Sequence, residues 1–253
     1  MKMKITSIGQ AAFYIEDGPL TVLTDPWFST GGPGALLAPR LEPPALSADQ
    51  INSCRLILLS HIHLDHWDDS AAALARRCGS TVVTAVDAAR RLGRKGLTAV
   101  GLHPGESWSG CGVTVRAVKA VHPLSPQAIG LVMSGPAVKT LYFSGDTRDH
   151  PGLDELAEIS LDLAFLQVSC ARYPLLGADG MDWPAAAALA ARIKPRLFIP
   201  MHFSCRGKYL DLEKNFKIKD LARVEEFLSV REKELNEAGI ACRVLRPGET
   251  LDI

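Results

Sequence analysis

The chain has 253 residues, 47% of them hydrophobic, enough to bury a sizeable core. Lys+Arg and Asp+Glu number 28 each, so the formal net charge is zero. No basic tail, charge block or bilayer-length apolar run is present, which leaves no evident nucleic-acid partner and no membrane span.

The first residues lack the unbroken apolar segment of a secretory signal. Six cysteines, Cys54, Cys78, Cys111, Cys170, Cys205 and Cys242, are scattered singly with no C-x-x-C pair. The expectation is a cytoplasmic protein with reduced thiols, folded as one domain over residues 1–253.

In chain order, "MKITSIG", "AAFYIED" and "LTVLTD" read as short strands split by Gly9 and by Gly18-Pro19. Residues 25–47 are rich in Gly and Pro, including Gly31-Gly32-Pro33-Gly34, and carry neither period. So long a loop is expected to flank a site and to move more than the sheets. Ser47 is positioned to cap a short helix ending near Asn52. "CRLILLS" is continuously apolar, as a strand covered on both faces must be. Asp68 or Asp69 can cap the helix "SAAALARRC", which Gly79 ends.

"TVVT" is a strand and "DAARRLG" a short helix. After "HPGES" come the strands "VTVRAV", "AIGLVMS" and "VKTLYFS". "PGLDELAEI" reads as a helix and "LDLAFLQV" as a buried strand. Asp182, Trp183 and Pro184 start the helix "AAAALAARI", which Pro195 ends. "RLFIP" is a strand, 219–239 is an amphipathic helix, and the tail from Cys242 is strand material. Either long helix is a candidate face for a homo-oligomer.

Polar clusters follow four of these strands: "HIHLDH", "HP", "GDTRDH" and "MHF". A lone histidine after a strand is more often a cap or a core residue than a ligand. Four ligand-type residues spaced H-x-H-x-D-H at a buried strand end are different, because each polar group there needs a partner. A tight turn lets His61 and His63 face one metal position and Asp65 and His66 a second. Two imidazoles do not complete a tetrahedral ion, so further ligands must come from elsewhere. His122, Asp146 and His202, each just past another strand, are the natural suppliers.

"HIHLDH" with these three later residues resembles the metallo-β-lactamase-fold hydrolases over nearly the whole chain. "ITSIGQAAFYIED…LTVLTDPWFS" is similar to one branch, which includes ascorbate-6-phosphate lactonase-like proteins and N-acyl phosphatidylethanolamine phospholipase D relatives. The resemblance implies an α/β fold, a four-layer αββα sandwich with the site at one sheet edge. It implies that His61, His63 and His122 hold one metal ion, that Asp65, His66 and His202 hold another, and that Asp146 bridges them. It also places Asp25 behind a ligand, accepting a hydrogen bond that fixes a histidine ring.

Di-iron oxygen and nitric-oxide reductases of this superfamily usually carry Glu where this chain has His63, and no flavodoxin-like extension is present. That favours hydrolysis with two divalent ions, zinc or manganese, over redox chemistry. Two ions can share a water whose pKa falls near neutrality, and the bridging hydroxide then attacks an ester-type bond, a lactone or a phosphodiester. Asp65 and Asp146 are the catalytic carboxylates, with Asp65 placed to orient the nucleophile and receive its proton.

The expected partner is a small molecule, anionic if Arg148 binds it bidentately. His150 is a further candidate contact, and Trp27 and Phe28 form either an apolar wall or a buried loop edge. Arg206, Lys208 and Tyr209 could also meet an anion, although an exposed turn explains them equally simply. The competing class is a non-catalytic metal- or ligand-binding module on the same fold. Such a module would be expected to have lost ligands, and none of the seven is missing.

Overall fold

The computed structural model describes residues 2–32, 36, 38–206, 210–214 and 216–253. Pro33, Gly34, Lys208 and Tyr209 lie outside the described residues. The strands of the first half are β1 (Met3–Gly9), β2 (Ala12–Asp17), β3 (Leu20–Thr24), β4 (Leu56–Leu58), β5 (Thr81–Ala85), β6 (Ala99–Leu102), β7 (Ser107–Gly110) and β8 (Val113–Lys119). Those of the second half are β9 (Ile129–Gly135), β10 (Val138–Phe143), β11 (Leu163–Gln167), β12 (Cys170–Tyr173), β13 (Gly177–Ala178), β14 (Leu197–Met201), β15 (Leu210–Glu213), β16 (Phe216–Lys217) and β17 (Thr250–Asp252). The helices are α1 (Asp69–Cys78), α2 (Val86–Arg94), α3 (Trp183–Ile193) and α4 (Leu221–Glu237).

Among the described residues the strands form three sheets. The first runs β17-β1-β2-β3-β4-β5-β6, the second β14-β11-β10-β9-β8-β7, and a small third β13-β12-β15-β16. Strand period two explains how they stack. Along "LILL", Leu56 and Leu58 point into the core between the two large sheets, with Phe13, Val115, Leu131 and Phe143. Ile57 and Leu59 point the other way, onto Ala71, Leu74 and Ala75 of α1. In the second sheet Leu141 and Phe143 face the central core, while Tyr142 faces the layer of α3 and α4 with Trp183, Leu189 and Leu228. The layers are therefore helix, sheet, sheet, helix. Each fully buried Leu or Phe of the shared core contributes about 1.5–3 kcal/mol.

Helix ends follow their capping residues. Asp68 Oδ1 accepts from Ala71 N at 2.8 Å to start α1, and Gly79 ends it in the left-handed region at φ 63. Asp182 starts α3 and Asp220 starts α4, each accepting from the backbone amide three residues on. Three expectations are corrected. Residues 151–158 form a 3-10 helix capped by the His150 ring. The Ser47 segment is a 3-10 turn over Ala48–Gln50, shorter than expected. "AVGL", "SWSG", "CARY" and "LDLE" are strands that their short or polar sequences do not announce.

Candidate metal centre

The functional side chains sit on one rim. Asp25 follows β3, His61 to His66 follow β4, His122 follows β8, Asp146 follows β10 and His202 follows β14. Two backbone hydrogen bonds join the large sheets there. Ile129 N donates to Ser60 O at 3.2 Å, and His202 N donates to Gln10 O at 2.8 Å. Three of the rim residues, Gln10, Asp25 and His202, hold positive φ of 59, 29 and 70, strain that clusters where geometry serves function. Gly145 (φ +54) lets the Asp146 turn approach β4, because a Cβ on it would lie 2.2 Å from Ser60 Cβ.

Among the described residues, three sets of three side chains converge. One ligand atom from each of His61, His63 and His122, and likewise from each of Asp65, His66 and His202, lies within 4.8 Å of the other two in its set, and so do Asp25, His61 and His66 behind them. Asp146 stands against the second set, with Oδ2 3.4 Å from His66 Nε2 and Oδ1 3.4 Å from His202 Nε2. Asp65 Oδ2 lies 3.3 Å from both His202 Nε2 and Gln10 Nε2.

The hydrogen bonds on the outer nitrogens show which atoms face inward. His63 Nε2 lies 3.2 Å from Leu124 O, and His122 Nδ1 lies 2.9 Å from Asp179 O. A carbonyl only accepts, so both of these nitrogens carry the proton. His66 Nδ1 lies 2.6 Å from Asp25 Oδ2, and His202 Nδ1 lies 3.3 Å from Ser169 Oγ, whose own proton goes to His202 O. In the neutral rings the inward nitrogens are therefore bare. They face each other in pairs, His63 Nδ1 with His122 Nε2 at 3.3 Å and His66 Nε2 with His202 Nε2 at 3.2 Å. His61 Nε2 and Asp146 Oδ1 are buried with no hydrogen-bond partner. Lone pairs set against lone pairs beside carboxylates are what a divalent cation resolves, and a nitrogen-rich set with carboxylates suits zinc-like ions. The residues fit a metal site.

Burial is the first influence on every titration here. It pushes the His61 ring well below the usual histidine range, aided by His66, and lowers His63, aided by His122. Burial alone would lower His66 and His202 too. The Asp146 and Asp65 carboxylates outweigh it, together with Asp25 for His66, and hold both rings above the usual range. Asp65 and Asp146 are held low against burial, Asp65 chiefly by His66 and Asp146 chiefly by His202. Burial, then Asp146, raises Asp179 to about 6.

The other candidate contacts have protein partners of their own. Arg148 Nε donates to Ala178 O and its Nη2 to Leu176 O, so the guanidinium ties the β12–β13 hairpin to the Asp146 turn. His150 Nε2 is 3.1 Å from Lys119 O, and its Nδ1 accepts from Gly152 N at 3.1 Å. Trp27 and Phe28 are buried, which makes them a loop edge and not an open wall. That edge is held from both sides. Arg40 lies over the Trp27 ring at 3.7 Å and donates to Trp27 O, while Asp68 Oδ2 accepts from Phe28 N and Ser29 N at 2.7 and 2.6 Å. Ser60, Ser169, Asp68 as a loop anchor, and Asp179 escaped the reading of the sequence. Only Ser60, adjacent to His61, carried a signal there.

Residues 21–203 match the model of the Beta-lactamase superfamily domain. A UPF0173 metal-dependent hydrolase of Carboxydothermus hydrogenoformans is 32% identical, over 98% of both chains. One from Pyrococcus furiosus is 31% identical over 99% of this chain and 100% of its own. The crystal structure of a possible metal-dependent hydrolase from Veillonella parvula superposes with a TM-score of 0.78 at 19% identity, covering 99% of each chain.

Proposed function

This chain belongs to the beta-lactamase superfamily and has its αββα fold, and on that premise we propose that it is a metal-dependent hydrolase of ester-type bonds, a lactone or a phosphodiester. The observation that carries the reading is the pair of facing imidazole nitrogens, His63 with His122 and His66 with His202, beside two low-pKa carboxylates. His61, His63 and His122 would hold one divalent ion and Asp65, His66 and His202 a second, with Asp146 between them. Bound ions, zinc or manganese, would supply an acidified water and polarise the bond under attack.

The chain's own groups supply the rest. Asp146 and His61 are closed off, whereas His63 and the Asp65 carboxylate are part-exposed, so substrate enters on that side. Leu64 and Leu124 are exposed on the same two loops and give the entrance an apolar border. Gln10 Nε2 holds Asp65 Oδ2, which leaves Asp65 Oδ1 to take the proton released by the attacking water. No serine or cysteine nucleophile is required. Cys205 is buried, and burial pushes its thiol far above the range of a reactive thiolate.

Affinity to the branch with ascorbate-6-phosphate lactonase-like proteins and N-acyl phosphatidylethanolamine phospholipase D relatives is supported by the opening "ITSIGQAAFYIED" and by the contact of its Gln10 with Asp65. A hydrolysis screen of zinc- and manganese-loaded protein against lactones, phosphodiesters, thioesters and β-lactams tests the reading. Turnover of a lactone or phosphodiester that a chelator abolishes and metal restores is expected. A folded, metal-loaded protein inert towards all four classes would overturn it.

A further inference from the structure

A cavity of about 550 Å³ adjoins the ligand loop on its outer side, a volume within the range of small-molecule pockets. Side chains along that loop alternate. His61, His63 and Asp65 join the converging sets, while the residues between them, Ile62 and Leu64, line the cavity together with Trp67. The first residues of α1, the end of α2 and the loop glycines Gly31 and Gly32 complete the wall. Leu64 belongs to both places. It is 47% exposed, stands between the part-exposed His63 and Asp65, and borders the cavity. An arm of a molecule seated at those two residues therefore has an apolar path past Leu64 into the cavity.

The charged groups around the cavity are not equally engaged. Asp68 is fully occupied, with Oδ1 accepting from Ala71 N and Oδ2 from Phe28 N, Ser29 N and Ser29 Oγ. Asp69 Oδ1 lies 4.0 Å from Lys95 Nζ. Arg91 is exposed, and its guanidinium has no hydrogen-bond or ion-pair partner among the described residues. One cation is thus left over beside an apolar wall, and a guanidinium is matched best by a planar carboxylate.

We propose that this cavity is a specificity subsite for an apolar arm of the substrate, an alkyl chain on the acyl side of the bond under attack, ended by a carboxylate that Arg91 meets. Ile62, Leu64 and Trp67 take the chain, and Arg91 sets its preferred length and direction. The proposal rests on the hydrolase reading for the bond that is cleaved, whereas occupancy of the cavity needs no metal. Gly31 offers a way to close it. Its backbone lies outside the left-handed region and nothing stands within 4 Å of where a Cβ would be, so a large side chain fits there without strain.

The first measurement is binding of octanoate, octanol and acetate to metal-free, full-length protein, followed by tryptophan fluorescence because Trp67 is part of the wall. Octanoate is expected to bind about tenfold or more tighter than acetate, for the methylenes it buries. It should bind about threefold or more tighter than octanol, for the charge it brings to Arg91. Arg91→Ala should abolish the second difference and Arg91→Lys restore part of it. Gly31→Phe should weaken octanoate and octanol alike. The second measurement is the ratio of kcat/KM for the p-nitrophenyl monoester of octanedioic acid to that for p-nitrophenyl acetate, on zinc-loaded protein. The ratio should fall in both Gly31→Phe and Arg91→Ala. Octanoate binding no better than acetate overturns the proposal, and so does octanoate binding that neither variant weakens. Weakening by Gly31→Phe alone overturns the carboxylate end. A ratio that neither variant lowers, or turnover confined to substrates without the arm, overturns the role in specificity. The expected binding in a protein inert towards every class of substrate would instead defeat the hydrolase reading and leave the cavity standing as a site for such a carboxylate.

Discussion

His66 Nε2 and His202 Nε2 face each other at 3.2 Å with the Asp146 carboxylate 3.4 Å from each. The two rings arrive from different sheets, 136 residues apart in sequence, and their outer nitrogens are occupied by Asp25 and Ser169. A cation between them should therefore stabilise the fold as a whole. At a free ion concentration a hundred times the dissociation constant the gain is about 2.7 kcal/mol. Thermal melts with added zinc or manganese should rise with ion concentration and fall back with chelator. A melting temperature indifferent to both would contradict this.

Ion uptake should also expel protons. Carboxylates raise His66 and His202 against the effect of burial, so a proton competes with the ion for these two rings more strongly than for the others. His61 and His63 are held below it, first by burial, and arrive neutral. A ligand nitrogen must lose its proton to bind, so affinity should rise with pH and binding should release protons. Calorimetric titrations in buffers of different ionisation enthalpy measure this directly, and binding heats independent of buffer would speak against it.

Gly145→Ala should damage the site from behind. Its new Cβ would meet Ser60 Cβ at 2.2 Å and Ser60 Oγ at 2.6 Å, in a left-handed backbone conformation. Overpacking costs about 1–3 kcal/mol, and the positive φ adds about 1 kcal/mol. Urea unfolding should show a loss of about 2–4 kcal/mol, together with reduced metal content because Asp146 is the next residue. A loss under about 0.5 kcal/mol would mean that the two strand ends are not packed as tightly as described.

The residues that converge were legible in the sequence because each follows an apolar strand that ends abruptly. Leu56 to Leu59 are buried alternately on two sides, which makes the run continuous and makes the polar "HIHLDH" after it conspicuous. The supporting shell was mostly not legible. Asp179 meets His122 from 57 residues away, and Ser169 meets His202 from 33, contacts that only the assembled sheets create. The partners of Arg148 were hidden for a related reason. Its charge and place beside Asp146 suggested an anion, whereas its partners are backbone carbonyls of the short β12–β13 hairpin. The strands of that hairpin, "CARY" and "GA", are too brief to show a period.

Arg148→Ala follows from those two carbonyl contacts. Losing the two carbonyl contacts should loosen residues 174–179 and, through Asp179 O, the orientation of His122. Backbone hydrogen exchange across this hairpin should quicken by about tenfold or more, a loss of about 1.4 kcal/mol of local stability. KM should change alike for neutral and anionic substrates. Unchanged exchange with KM raised only for anionic substrates would return Arg148 to anion binding.

The most direct measurement is bound metal per chain, with turnover of the same preparation, for Asp146→Asn beside the parental protein after equilibration with excess zinc. The substitution keeps the size of the side chain and removes the charge facing His66 and His202. Two ions per parental chain and fewer in the variant are expected, with kcat lower by at least about 10²-fold, roughly 2.7 kcal/mol of transition-state stabilisation. An Asp146→Asn protein that keeps two ions and near-parental kcat would contradict the central claim, because the carboxylate proposed to bridge the two ions would then be dispensable.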